Sequence, residues 1–380
     1  MNGVLNGFKV IEIASIGPIP MCGTMFADMG ADVIRVKRLK KDSFGINLEP
    51  KFNLLNRSRP SVLVDLKTSD GVKILLRLVK KADALIEGFR PGVMERLGLG
   101  PDVCLKHNPR LVYGRITGWG QEGPLATTVG HDINYLAISG LLNAIGTEAR
   151  PVIPLNIVGD FGGGALYLAT GVLAALLEAQ KSGQGQVVDA AMVDGALSLM
   201  TSIYGMKDAG YWIDERGRNL VDGSAHFYNV YETSDGKFIS IGSIETKFYL
   251  ELLKTLELNP DKLPNQMDRE SWPEMTKRFA DIFRTKTRGE WCRIMEKTDI
   301  CFAPVLDLTE APEYPGNKER NAFVFANDSL QPAPAPRFSR TVSSIKDAKT
   351  TSGLDVKDSL SGWGFDKDEV NKLKKTGIIS

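Results

Sequence analysis

Phe8-Lys9-Val10-Ile11-Glu12-Ile13, followed by Ala14-Ser15-Ile16-Gly17-Pro18, a stretch through Met25-Phe26-Ala27, then Gly30 and Val33-Ile34-Arg35-Val36, is the passage on which the fold turns. A short β-branched run, a helical segment closed by glycine and a second β-branched run make a β-α-β unit. Such a unit predicts a parallel sheet with right-handed crossovers. The loop after the first strand lacks G-x-G-x-x-G, so a Rossmann-like architecture is expected without the dinucleotide fingerprint, and no NAD.

Working outward, the pattern repeats. Ser61 to Leu66 reads as a strand, Gly71 to Lys81 as an amphipathic helix, and Ala84 to Glu87 as a strand running into Gly88-Phe89-Arg90-Pro91-Gly92; Leu111 to Ile116 is one more strand. Open α/β sheets bind ligands outside the carboxyl ends of their strands. There the chain places Arg38, Lys67 and Arg90, with Arg57, Arg59 and Arg96 nearby. A solvated basic face is one reading of these charges; a phosphate-rich ligand is the other.

The 380 residues are too many for one ordinary core and predict two domains. Hydrophobic residues make up 43% and charged residues 24%, with a formal net charge of +1, which gives no basic surplus for nucleic acid. Cys22, Cys104, Cys292 and Cys301 form no C-x-x-C pair, which points to a reducing compartment and away from a zinc site. The N-terminus lacks a basic and an apolar signal region, and Ala165 to Ala179 is shorter than the ~20 residues of a membrane span. A soluble intracellular protein is expected, cytoplasmic in a bacterium, peroxisomal or mitochondrial in a eukaryote. Gly377-Ile378-Ile379-Ser380 does not match the peroxisomal tripeptide.

Farther along, Val187-Val188-Asp189 starts a strand and a helix runs through Leu199. The polar, glycine-rich residues 211–224 read as a linker. Phe227 to Glu232 and Phe238 to Ile241 flank Ser234-Asp235-Gly236-Lys237 as a hairpin, with helices expected near Phe248 to Leu256, Trp272 to Arg284 and Arg288 to Lys297. The expected division is therefore a large domain over 1–210, completed by 325–380, and a small α+β domain over 225–324. Pro332-Ala333-Pro334-Ala335-Pro336 reads as an extended return.

Between these halves lies the stretch that carries chemistry. It opens with Gly130-His131-Asp132-Ile133-Asn134-Tyr135 and closes with Gly159-Asp160-Phe161-Gly162-Gly163-Gly164. His131 is one of three histidines, the side chain whose ordinary pKa lies nearest neutrality. Asp160 precedes a long apolar run, so the N-H groups of a first helical turn are expected to favour its ionised form, and the glycines to admit a ligand close to the backbone. A plain N-cap for Asp160 and a structural buried histidine for His131 are the alternatives.

Four motifs together resemble the α-methylacyl-CoA racemases of the family III CoA-transferase superfamily: Gly130 to Tyr135, Gly159 to Gly164, Gly185-Gln186-Val187-Val188-Asp189-Ala190, and Arg90-Pro91-Gly92-Val93-Met94-Glu95-Arg96-Leu97. The resemblance runs from about Gly7 to about Arg340. It implies an interlocked homodimer, with the active site between the large domain of one chain and the small domain of the other. It implies that His131 and Asp160 are the two catalytic bases and that Glu245 partners the histidine. Arg38, Val64, Asp65, Leu66, Lys67, Gly88, Arg90, Arg96 and Gly130, His131, Asp132, Ile133, Asn134 and Tyr135 match CoA-contacting positions. The implied reaction is racemisation of a 2-methylacyl-CoA thioester through an enolate, with CoA as part of the substrate and no cofactor or metal. Backbone N-H groups at the start of the helix after Asp160 are the expected donors to the enolate oxygen. In the transferases of the same fold Asp160 would instead be a nucleophile forming an aspartyl-CoA thioester. Where the racemases read Glu-Pro-Gln-Phe-Tyr and Gly-Gly-Ala-Pro, this chain has Glu245-Thr246-Lys247-Phe248-Tyr249 and Gly223-Ser224-Ala225-His226, and residues 39–53 also depart. His226 is expected to reshape the acyl pocket.

Overall fold

The computed structural model describes residues 3–38, 48–346 and 360–379, so residues 39–47 of the divergent segment lie outside the described part. The chain divides into one unit of Met1–Ser139, Leu155–Leu199 and Asn321–Ser380 and another of Gly140–Pro154 and Met200–Arg320.

The first unit is built on six strands: β1 (Lys9–Ile13), β2 (Asp32–Lys37), β3 (Ser61–Leu63), β4 (Ala84–Glu87), β5 (Val112–Thr117) and β6 (Val187–Ala191). They lie in the order β3-β2-β1-β4-β5-β6, and every neighbouring pair is parallel. This is the doubly wound order, which reverses between β1 and β4 and leaves a crevice at their carboxyl ends. β1 shows why both faces must be covered. Val10 joins the core beneath α1 (Pro18–Asp28) and α4 (Leu166–Ser182). Ile11 and Ile13 point the other way, into a core shared with Leu75 and Leu78 of α2 (Ser69–Val79) and with Trp363 and Val370 of the C-terminal segment. Period-two alternation with apolar residues on both faces is the signature of a parallel sheet between helical layers.

Glu12, on the same face of β1 as Val10, is a fully buried carboxylate under α1. It meets Arg35 at 2.9 Å and Arg59 at 2.9 Å, while Arg57 meets Asp28 at 2.6 Å. Arg57 and Arg59 therefore do not belong to the basic ligand face expected at the strand ends, because each is consumed by an internal ion pair. A buried carboxylate demands such partners.

The helix expected after Asp160 begins earlier and differently. Ile157–Ala165 is a π-helix that continues into α4, and the stretch Ile157–Ser182 has 26 residues with hydropathy 1.4. Its length and composition suit a membrane span. Its buried residues Leu168, Val172 and Leu176 pack into the sheet core, as expected of a core helix. The glycines of this stretch serve helix packing rather than ligand approach. A Cβ on Gly163 would lie 2.8 Å from Ala196 N, and one on Gly195 would collide with Gly163 O, so the π-helix and α5 (Met192–Leu199) touch backbone to backbone. Expected strand Ser61 to Leu66 ends at Leu63, beyond which Val64 forms an antiparallel bridge with Ile379.

In the second unit Tyr228–Glu232, Phe238–Gly242 and Phe302–Val305 form an antiparallel sheet with the middle strand central. Gly236 supplies the left-handed φ of 71° that the hairpin turn requires. Helices Thr246–Thr255, Trp272–Phe283 and Arg288–Met295 cover the sheet, and the last is opened by a reciprocal cap in which the Thr287 N-H donates to Glu290 Oε2 and the Glu290 N-H to Thr287 Oγ1. His226 lies in this core, 1% exposed, against Phe227, Tyr249 and Phe279. Its side chain is packed among these aromatic rings.

Candidate active site

The crevice at the carboxyl ends of β1, β4 and β5 is a real cleft. Ile16 to Ile19 after β1, Gly88 to Pro91 after β4, and Gly118 and Trp119 after β5 line it, together with Gly130, His131, Tyr135, Asp160 and Met192. The strand order dictates this location, because the two loops that diverge at β1 and β4 cannot close over it.

Two elements deliver the acid-base groups. His131 is the N-cap of α3 (Asp132–Ile138), and its backbone N-H donates to Asn134 Oδ1 at 3.0 Å. Tyr135 fills the space behind it. Its hydroxyl donates to Gly130 O, and its ring meets Trp119 edge to face at 4.7 Å. Only glycine fits at 130, where a Cβ would press on both rings. Burial pushes the Tyr135 hydroxyl up to about 12, keeping it a neutral donor.

Asp160 sits in the first turns of the π-helix, half-buried, with Oδ2 accepting from Asn156 Nδ2 at 3.2 Å. The same oxygen lies against Gly17, whose absent Cβ would be only 3.2 Å away and whose φ of 69° suits glycine. Asp160 was expected to be held ionised by a helix N-terminus; instead its carboxyl is pushed above the usual carboxylate range. Burial is the main cause, opposed by Asn156, while the neighbouring Asp132 charge raises it and His131 lowers it. The Asp160 N-H donates to Asp132 Oδ1 at 2.6 Å.

Of the other expected ligand residues, Gly88, Arg90 and Gly130 line the cleft with His131 and Tyr135. Arg38 does not line it, but its guanidinium lies 5.0 Å from the ring of Phe89, which does. Arg90 and Lys67 are exposed, as are Arg96, Ile133 and Asn134. The Val64-Asp65-Leu66-Lys67 turn lies beyond β3, away from the cleft lining, with Val64 buried and Asp65 Oδ1 accepting from the Lys67 N-H at 3.0 Å. Asp132 is buried and faces the backbone of the π-helix. Sequence reasoning missed Gly17, Trp119 and Asn156; only Gly17-Pro18, a glycine ahead of a helix N-terminal proline, carried a readable signal. It also missed Glu87, which accepts from the Phe89 N-H at 2.7 Å and from Arg115 at 3.0 Å and so fixes the loop bearing Arg90.

Glu245 belongs to the second unit. It is exposed at the N-cap of helix Thr246–Thr255, and its charge helps raise the Cys301 thiol above its ordinary value, behind the larger effect of burial. The loop before it is held firmly. Gln266 Nε2 donates to Ser243 O at 3.0 Å and Ile244 O at 2.9 Å, and Ser243 Oγ donates to Ile300 O.

The comparisons with known proteins agree in direction with this geometry. Residues 5–352 match the CoA-transferase family III model. The chain is 44% identical to the α-methylacyl-CoA racemase of Mus musculus over 99% of its own length and 97% of the relative's, and 41% identical to that of Homo sapiens with the same coverage. Among solved structures, Rv3272 from M. tuberculosis superposes with a TM-score of 0.76 at 27% identity, covering 91% of this chain and 96% of that one. A parallel sheet in doubly wound order, a cleft at its switch point and a match across nearly the whole sequence lead to one conclusion: the chain belongs to CoA-transferase family III.

Proposed function

We propose that the protein racemises 2-methylacyl-CoA thioesters by 1,1-proton transfer. The observation that carries the reading is the pairing, in one cleft, of a histidine with a carboxyl held above its usual range, in a chain over 40% identical to two named α-methylacyl-CoA racemases. Inverting a carbon acid needs a base on one face and an acid on the other. With His131 neutral and Asp160 protonated, His131 takes the α-proton and Asp160 returns one to the opposite face; the reverse direction exchanges the roles. A raised Asp160 pKa favours the protonated form that the donor role needs. The proposed donors to the enolate oxygen are backbone N-H groups at the start of the helix after Asp160. Glu245 is the proposed partner of His131, and Arg38 and Arg90 the proposed handles for CoA phosphates. No metal or further cofactor takes part in the proposed reaction, so a chelator is expected to leave the rate unchanged.

The test is isotopic. One enantiomer of a 2-methylacyl-CoA, incubated in D2O with the protein, should gain deuterium at the α-carbon while both enantiomers accumulate. His131→Ala and Asp160→Asn should each slow racemisation by ~10²-fold or more. An Asp160 adduct trapped by hydroxylamine, with no deuterium at the α-carbon, would replace this reading with CoA transfer.

A further inference from the structure

A helix leaves the N-H groups of its first turn without intrahelical acceptors, and a local side chain ordinarily serves them. The π-helix that carries Asp160 does not follow that rule. Its N-cap, Asn156, makes no such bond and sends its amide to the Asp160 side chain instead. The missing acceptor comes from another element. Asp132, 7% exposed on α3, accepts the Asp160 N-H at Oδ1 at 2.6 Å and also takes the Gly159 N-H, and its Oδ2 is buried with no hydrogen-bond partner among the described residues. Gly159 is obligatory to this contact, since a Cβ there would collide with Asp132 Oδ1.

Asp132 follows His131 directly in the chain, so this one carboxylate joins the backbone of one base to the backbone of the other. We infer that Asp132 is a positioning residue: it fixes the separation of His131 and Asp160 through the Asp160 main chain, and it sets a fixed negative charge beside the Asp160 carboxyl. This inference rests on the two-base reading above, and it moves Asp132 from the substrate contacts expected by resemblance to the frame that holds the bases.

Among the described residues, the groups facing Asp160 are few. From α3 come Asp132, His131 and the neutral Tyr135 hydroxyl; from the segment before α1 comes only Gly17; α5 meets the π-helix through Gly195 and Ala196. Asp132 is the only like charge among them. Its own carboxyl is pushed up by burial and pulled down by the two backbone donors. Removing the charge while keeping the acceptor should therefore lower the Asp160 pKa, and removing both should also loosen the turn.

Asp132→Asn and Asp132→Ala separate the two roles. In Asp132→Asn, the acid limb of kcat/KM, measured in the direction in which Asp160 accepts the proton, should move to lower pH. In Asp132→Ala, kcat should fall by ~10²-fold, as a misplaced catalytic group predicts, with KM for the acyl-CoA changed by less than about threefold. A readout independent of turnover accompanies these. Amide hydrogen exchange of the peptide spanning residues 157–165 should quicken in Asp132→Ala and stay near the unsubstituted protein in Asp132→Asn. A raised KM with kcat preserved in Asp132→Ala would overturn the inference and make Asp132 a substrate contact. Unaltered exchange in that variant, or an unmoved acid limb in Asp132→Asn, would overturn it as well. If the unsubstituted protein fails to incorporate deuterium at the α-carbon, the racemase reading falls, while the exchange experiment still decides whether Asp132 holds the Asp160 turn.

Discussion

At the scale of single residues, His226, which departs from the racemase motif, has a consequence of its own. Burial drives the pKa of His226 down to about 4, while Tyr249 Oη and His226 Nε2 share a hydrogen bond at 2.8 Å and Nδ1 has no partner among the described residues. A histidine depressed in the folded state binds its proton only in the unfolded chain between pH ~6.5 and 4, so the stability it allows is complete above pH ~6.5 and is lost as pH falls toward 4. That loss amounts to roughly 3 kcal/mol over the window, or about 2 kcal/mol by pH 5. Urea unfolding of the second unit at pH 7.5 and pH 5 should show it, and His226→Phe should remove that part of the pH dependence; equal slopes would place the acid sensitivity elsewhere. Sequence alone marked His226 as unusual but not as buried, because burial is set by Phe279 and Tyr249, dozens of residues away. The same holds for Arg57 and Arg59, whose partners Asp28 and Glu12 lie on other elements. Arg90 differs, being exposed in a loop that lines the cleft. Arg90→Ala should raise KM for acyl-CoA roughly tenfold, the equivalent of one charge-assisted hydrogen bond, with kcat little changed. A KM unaffected by this change would rule out a phosphate contact there.

At the scale of elements, the strands were legible where alternation was strong. β4 was expected over Ala84 to Glu87 and is found there, and the hairpin around Gly236 is present with its antiparallel register. The π-helix was not legible, because an i→i+5 ladder has no residue pattern of its own and is selected by what packs against it. A run of glycines announces a close approach without naming what approaches. Here the partner is α5, and the prediction follows from that contact. Gly195→Ala should cost at least about 2 kcal/mol, as overpacking between two backbones does, and should lower activity further by displacing the turn of Asp160. The unfolding midpoint in urea, read beside turnover at a permissive temperature, checks both parts; a stable, fully active Gly195→Ala protein would contradict the packing.

At the scale of the whole molecule, the outer side of α4 exposes Leu166, Thr170, Ala174 and Leu177 along one face, and the neighbouring α5 exposes Leu197 and Leu199. Tyr167 Oη donates to Ser198 Oγ at 2.7 Å and ties the two helices together. Apolar rows of this kind mark association surfaces. A homodimer is the expected state, with Leu177→Asp lowering its mass by sedimentation velocity at micromolar concentration; a native monomer for the unsubstituted protein would rule the dimer out.

The bridge between Val64 and Ile379 bears on a hazard that every open sheet carries. β3 ends the sheet order, and an edge strand offers unpaired N-H and C=O groups to any passing strand. Two residues near the chain's last described position pair with the chain just past that strand: Val64 bridges Ile379, and the Asp65 N-H donates to Ile378 O at 3.3 Å. The C-terminal segment thus works as a stopper against edge-to-edge growth. Removing residues 378–380, which takes away the acceptor at Ile378 O, should leave the cleft and its chemistry intact yet shorten the lag before light scattering rises at mildly elevated temperature.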